Sequence, residues 1–81
     1  MTVTIHVFAS LRERLGKSSW KESIPEGTDT GMLVAMLAGR EVDVAAVQSV
    51  IRVAVNDQWV STPVQLNDGD DVALLTPVSG G

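Results

Sequence analysis

The chain reads through to Val78-Ser79-Gly80-Gly81, and its last two residues are the ones whose types could do chemistry. Glycine has no Cβ to pack, so a Gly-Gly end adds nothing to a core and costs entropy when it is ordered. What it offers is a thin, flexible thread tipped by a carboxylate, narrow enough for a channel in a partner. An ionised carboxylate is a weak nucleophile and a poor acyl donor at neutral pH. Adenylation by ATP on a partner enzyme would turn it into a mixed anhydride that a sulfur nucleophile can attack. The chain has no cysteine, which excludes a disulfide framework, a thiolate metal site and a cysteine nucleophile together. Any sulfur handled here must sit elsewhere than on a side-chain thiol.

The remaining candidates are weaker. His6 is the only histidine, and no Ser or Asp arrangement can be built around it, so a surface strand position is expected. Asn67-Asp68-Gly69-Asp70-Asp71 resembles a calcium loop, but the twelfth-position ligand is missing in a register starting at Asp68 or at Asp57. Turn chemistry explains it better, and no metal site is expected. Trp20 and Trp59 fall on short strands, where such rings cover a sheet edge. No phosphate-cradling glycine loop is present.

The elements that would hold the tail follow from periodicity. Thr2 to Ala9 alternates, with Val3, Ile5, Val7 and Ala9 on one face and Thr4, His6 and Phe8 on the other. Ser10-Leu11-Arg12-Glu13 has capping-box spacing, and Gly16 would end a short helical turn in the left-handed conformation. A second strand over residues 18–24 leads into a Pro25-Glu26-Gly27 turn. Thr28 is the expected N-cap of the main helix, with Asp29 in its first turn and an apolar stripe of Met32, Leu33, Met36 and Leu37 ending at Gly39. One or two further helical turns are expected around Val44 and Val47. Ile51, Val53 and Val55 mark a third strand, Asn56-Asp57 a turn and Trp59-Val60 a short strand, with Pro63 holding the next segment at an edge or in a loop. Asn67 to Asp70 forms another turn. Asp71 to Thr76 is the last strand, and Pro77 ends its pairing by lacking an N–H.

This order predicts an α+β fold of the β-grasp, or ubiquitin-like, kind: a mixed sheet of about five strands with one main helix laid across it. Residues 1–76 form the domain and residues 77–81 its tail. The first and last strands would then lie parallel at the sheet centre. Phe8 and Leu75 would meet on the face away from the helix, at the root of the tail.

Bulk composition narrows the function further. Eighty-one residues make one modest core, too small to enclose a catalytic pocket as well, so a binding or carrier module is favoured. The net charge of −4, with only six scattered Lys and Arg, disfavours nucleic acid. Apolar runs such as Met32 to Ala38 are far shorter than a membrane span, and the first four residues carry no secretory signal, so a cytoplasmic location is expected.

Three stretches carry a resemblance: Val7-Phe8-Ala9-Ser10-Leu11-Arg12-Glu13 with Gly16; Val53-Ala54-Val55-Asn56; and Leu66-Asn67-Asp68-Gly69-Asp70-Asp71-Val72-Ala73 running to Pro77-Val78-Ser79-Gly80-Gly81. Through them the whole chain resembles the small subunits of molybdopterin synthase, the MoaD-type sulfur carriers. The resemblance implies that an adenylating enzyme similar to ubiquitin-activating enzymes attaches AMP to Gly81, using ATP, and that sulfur transfer leaves a Gly81 thiocarboxylate. AMP and sulfur would be transient modifications, with no permanently bound cofactor. The tail would enter the synthase large subunit, which carries the catalytic residues, and donate sulfur to a pterin precursor in molybdenum cofactor biosynthesis. In that family two small subunits and a large-subunit dimer make a heterotetramer. Phe8, Arg12 and Leu75 match docking positions, and Pro77, Val78, Ser79 and Gly80 would contact the partner as the tail threads in; residues 76–81 fully extended reach about 20 Å. Leu75 and Thr76 depart from an aromatic residue and a proline in many relatives, which weakens the apolar patch and loosens the tail root. The thiamin-pathway sulfur carrier shares the fold and the Gly-Gly end but is typically shorter and lacks the Phe-Ala-x-Leu-Arg-Glu segment. A ubiquitin-like modifier conjugated to lysines through Gly81 and an inert interaction domain are the other readings.

Overall fold

The computed structural model describes residues 1–77 and forms one five-stranded mixed sheet in the order β2-β1-β5-β3-β4. The alternation read at the N-terminus becomes strand β1 (Thr2–Val7), whose Val3, Ile5 and Val7 are buried while Thr4 and His6 stay partly open. Strand β5 (Asp71–Leu75) runs parallel beside it, pairing Thr4 with Asp71 through to Val7 with Leu74, and buries Val72 and Leu74 on the same side. Strand β2 (Ser19–Ser23) flanks β1 antiparallel, and β3 (Arg52–Val55) flanks β5 antiparallel. The edge strand β4 (Gln58–Val60) follows β3 through a two-residue turn. Asn56 (φ 50°) and Asp57 (φ 68°) both take the left-handed conformation that this hairpin turn requires and that Asn and Asp tolerate. Asn56 also ties the two strands at one end, since its Oδ1 accepts from the Asp71 N–H at 2.9 Å and its Nδ2 donates to Asp70 at 3.0 Å.

Three helices pack on one side. Helix α1 (Ala9–Leu15) ends at Gly16, whose φ of 75° and N–H donation to the Arg12 carbonyl realise the expected left-handed stop. Its start differs from expectation. Phe8 occupies the N-cap with no side-chain cap, Ala9 is the first helical residue rather than the end of β1, and Ser10 lies inside the first turn, so the Ser10–Glu13 spacing makes no capping box.

Helix α2 (Thr30–Arg40) is capped by Asp29, whose Oδ1 accepts from the Met32 N–H at 2.7 Å. Thr28 cannot do so, because it is buried and its hydroxyl donates to the Pro25 carbonyl at 2.7 Å. This phase buries Thr30, Leu33, Val34 and Leu37, one helical stripe, and leaves Met32 55% exposed. The helix also passes through Gly39 instead of ending there. Its last residue, Arg40, donates to both Glu22 oxygens on β2 at 2.7 and 3.0 Å, and a cation suits the negative end of a helix. Helix α3 (Val42–Val47) and a 3₁₀ turn (Gln48–Val50) complete the layer, with Val44 fully buried.

Glu22 is the hub of a clip between β2 and α2. Its side chain is 13% exposed and also accepts from Trp20 Nε1–H at 2.8 Å, while the Lys17 ammonium lies 4.2 Å from the Trp20 ring centre. The Arg40 hydrogen bonds outweigh burial and hold the Glu22 carboxyl below its ordinary value. A depressed carboxyl stabilises the fold above its unfolded value of 4.5 and loses that contribution as pH falls through the lower folded value. Glu22→Gln is expected to lower stability at pH 7 by about 1–2 kcal/mol, the scale of charge-assisted hydrogen bonds. Urea melts at pH 7 and pH 3 check this: the difference from wild type should shrink at the lower pH, and an equal difference at both would contradict the charge assignment.

Candidate functional site

Strand pleating sorts the sheet into two faces. Val53 and Val55 pack with the helices, so Arg52 and Ala54 point the other way, as do His6, Ala73 and Leu75. Across this open face the register lines up His6, Ala73, Ala54 and Trp59 in one row, and Leu75 with Arg52 in the next. Phe8 and Leu75 directly follow the Val7–Leu74 pair, which puts them at neighbouring ends of the two central strands. Phe8 is 46% exposed and Leu75 half-buried. Two alanines make a low floor, and Phe8, Leu75 and the 63%-exposed Trp59 rise around it.

Phe8 is held in place by an unusual backbone. It is extended (φ −136°, ψ 163°), and Ala9 follows at φ 51°, a left-handed conformation that costs a non-glycine residue on the order of 1 kcal/mol. That reversal takes the chain from β1 straight into α1 and leaves the ring on the outer face. Beside it, a depression of about 270 Å³ is lined by His6, Phe8, Asp57, Asp71 and Ala73. Asp71 and His6 Nε2 are hydrogen-bonded at 2.9 Å, which gives the histidine a partner and no nucleophile. Among the described residues no group of His, Cys, Asp or Glu could hold a metal ion, and no helix is long and apolar enough to cross a membrane. A larger groove of about 470 Å³ lies between α2 and the β3–β4 hairpin, lined by Val34, Ile51, Val53, Val60 and Pro63 with threonine and serine hydroxyls and with Arg52 at its β3 edge; it holds no acid–base pair.

The residues expected from the sequence are therefore distributed as follows. Phe8 and Leu75 stand at the end of the central strand pair. Arg12 is exposed on α1, one turn beyond Phe8, and makes no side-chain hydrogen bond or ion pair among the described residues. Pro77 is exposed two residues past β5. Val78, Ser79, Gly80 and Gly81 lie outside the described residues.

Trp59 joins the same face, which periodicity alone did not reveal. The signal was present: a two-residue Asn56-Asp57 turn fixes Val55 opposite Gln58, and hence Ala54 opposite Trp59. What this arrangement can do is bind. It offers a flat apolar surface with Asp57 and Asp71 at one end, Arg52 at the other and no buried reactive group.

Residues 5–81 match the ThiS family. The chain is 30% identical over 87 residues to the molybdopterin synthase sulfur carrier subunit of Aedes aegypti, covering 98% of this chain and 88% of that protein. Among solved structures it is similar to a Pyrococcus furiosus protein assigned as molybdopterin converting factor subunit 1, with a TM-score of 0.83 and 26% identity over 96% of this chain and 99% of that one. It is similar also to a chain in the complex of subunits 1 and 2 of molybdopterin-converting factor from Helicobacter pylori, with a TM-score of 0.74 and 26% identity over the full length of both.

Proposed function

This chain belongs to the ThiS family, and from that premise we propose that it is the sulfur-carrying small subunit of a molybdopterin synthase. The observation that carries the reading is the parallel pairing of β1 with β5, which gathers Phe8 and Leu75 where the chain leaves the sheet toward Gly80-Gly81. An apolar face at the root of a Gly-Gly end is what a carrier needs: a mount that docks while the end reaches elsewhere.

The carrier's chemistry resides in the Gly81 carboxyl. In the proposed cycle, one carboxylate oxygen attacks the α-phosphorus of ATP on an adenylating enzyme similar to ubiquitin-activating enzymes, and pyrophosphate leaves. A sulfur nucleophile at the oxidation level of sulfide then adds to the acyl carbon and expels AMP, leaving a thiocarboxylate. In the large subunit the sulfur passes to a pterin precursor, and water supplies the oxygen that restores the carboxylate. Phe8, Leu75 and Trp59 make the docking surface, Arg12 its flank, and residues 77–80 the thread. The large subunit supplies the catalytic residues and, as a dimer, takes one carrier at each end. The relatives named as sulfur carrier subunits and the solved complex of subunits 1 and 2 support this division of labour.

Intact mass spectrometry after incubation with the adenylating enzyme, ATP and sulfide tests it. A gain equal to one sulfur exchanged for one oxygen, located on Gly81 by fragmentation, is the expected result. An unchanged mass with an adenylating enzyme that activates another carrier in the same assay would refute the reading, and lysine adducts ending in Gly-Gly would redirect it to protein modification.

A further inference from the structure

The outer face is charged at its two ends in opposite senses. At one end Asp71 and Asp57 line the depression beside His6, and the Asp71 side chain is 62% exposed. At the other, Arg52 stands opposite Leu75 in the register, exposed and without an ion pair among the described residues. Asp71 and Leu75 are four residues apart, so the two ends are separated by about 13 Å along the strand. That exceeds the screening length of about 8 Å at physiological salt, so a docking surface meets two distinct patches rather than a neutral average. Lys21 shares Asp71's row through Thr4, two strands and about 10 Å away on β2, too far to neutralise the depression.

We infer that this polarity fixes the orientation in which the large subunit docks, by requiring a cationic group of the partner against Asp57 and Asp71 and a carboxylate against Arg52. The inference rests on the proposed docking role of the face and deepens it. The apolar elements alone do not set an orientation. Ala54 and Ala73 are flat and featureless, and the rings of Phe8 and Trp59 could be received by a greasy partner surface turned end for end. A reversed partner would bring acid against acid and cation against cation, and would aim the Gly81 end away from the site it serves. Opposite charges at the rim act chiefly on encounter, steering partners into register before the apolar contacts close.

Stopped-flow association of the full chain with its large subunit, at low salt and near 1 M NaCl, tests this. Arg52→Glu is expected to lower the association rate about tenfold at low salt, and Asp57→Asn about threefold, with both returning to within about twofold of wild type at high salt. Asparagine tolerates the left-handed backbone at position 57, and thermal melts confirm that each variant is folded. Rates that match wild type at both salts, or that fall equally at both, overturn the inference. Phe8→Ala in the same series, which removes the ring and adds no charge, separates the two readings. If it weakens binding while the charge variants behave as wild type, the polarity inference fails and the docking face stands; if it too binds as wild type, the docking face fails with it.

Discussion

Deleting Gly81 is expected to reduce sulfur donation by at least about 1,000-fold while shifting the melting midpoint by less than about 1 °C. The stability half of this expectation rests on where the core lies. Among the described residues the hydrophobic cluster runs from Val3 to Leu74, and β5 is paired with β1 as far as Leu74 and with β3 as far as Leu75. The activity half rests on reach. Removing one residue withdraws the terminal carboxyl by about 3.6 Å, and a misplacement of about 1 Å from an attacking group can already cost about 100-fold. The variant keeps a carboxylate at Gly80, so chemistry of the group is not lost; only its position changes. Single-turnover transfer in the reconstituted synthase, set beside thermal melts, measures both halves. A truncated chain that melts several degrees lower would make the end structural, and one that still donates sulfur would move the reactive group elsewhere.

The legible parts of the sequence were those where one local rule had no competitor. The alternation of Val3, Ile5 and Val7, the Gly16 stop, the Pro25-Gly27 turn and the Asn56-Asp57 hairpin each depend on residues within a few positions, and the structure carries all of them. The misplaced features depend on competition at longer range. Thr28 has good capping chemistry, but the turn before it takes its hydroxyl, and the cap passes to Asp29. The buried stripe of α2 differs as well, with Thr30 and Val34 inside beside Leu33 and Leu37 and Met32 turned to solvent. Gly39 did not end the helix because Glu22, seventeen positions earlier, holds Arg40 in its last turn. The candidate site was half visible for the same reason. Phe8 and Leu75 follow from the parallel pairing that the fold class implies, whereas Trp59 needed the register of a three-residue edge strand carried across β3.

Phe8→Asp should weaken association with the large subunit by more than about 100-fold and yet leave the fold as stable as before, or slightly more so. The loss on docking has two sources. Burying a large apolar side chain contributes about 1.5–3 kcal/mol, and the substitution removes it. It also places a third carboxylate beside Asp57 and Asp71 in the same depression, more acidic charge than one cationic group of the partner can pair on docking. The effect on folding has the opposite sign. Phe8 is 46% exposed, so the core loses little, and it occupies an N-cap with extended backbone and no side-chain cap. An aspartate there can accept from the unpaired N–H groups of the first turn and complements the positive end of α1. Capping of this kind contributes about 0.5–2 kcal/mol, enough to offset the lost packing. Trp59→Ala, which changes no cap and adds no charge, isolates the apolar contribution and is expected to weaken docking between about 10- and 100-fold. Calorimetric titration against the large subunit, paired with thermal melts of the free chains, distinguishes these cases. A Phe8→Asp chain that melts well below wild type would show the ring to be structural, and unchanged affinity in both variants would remove this face from the interface.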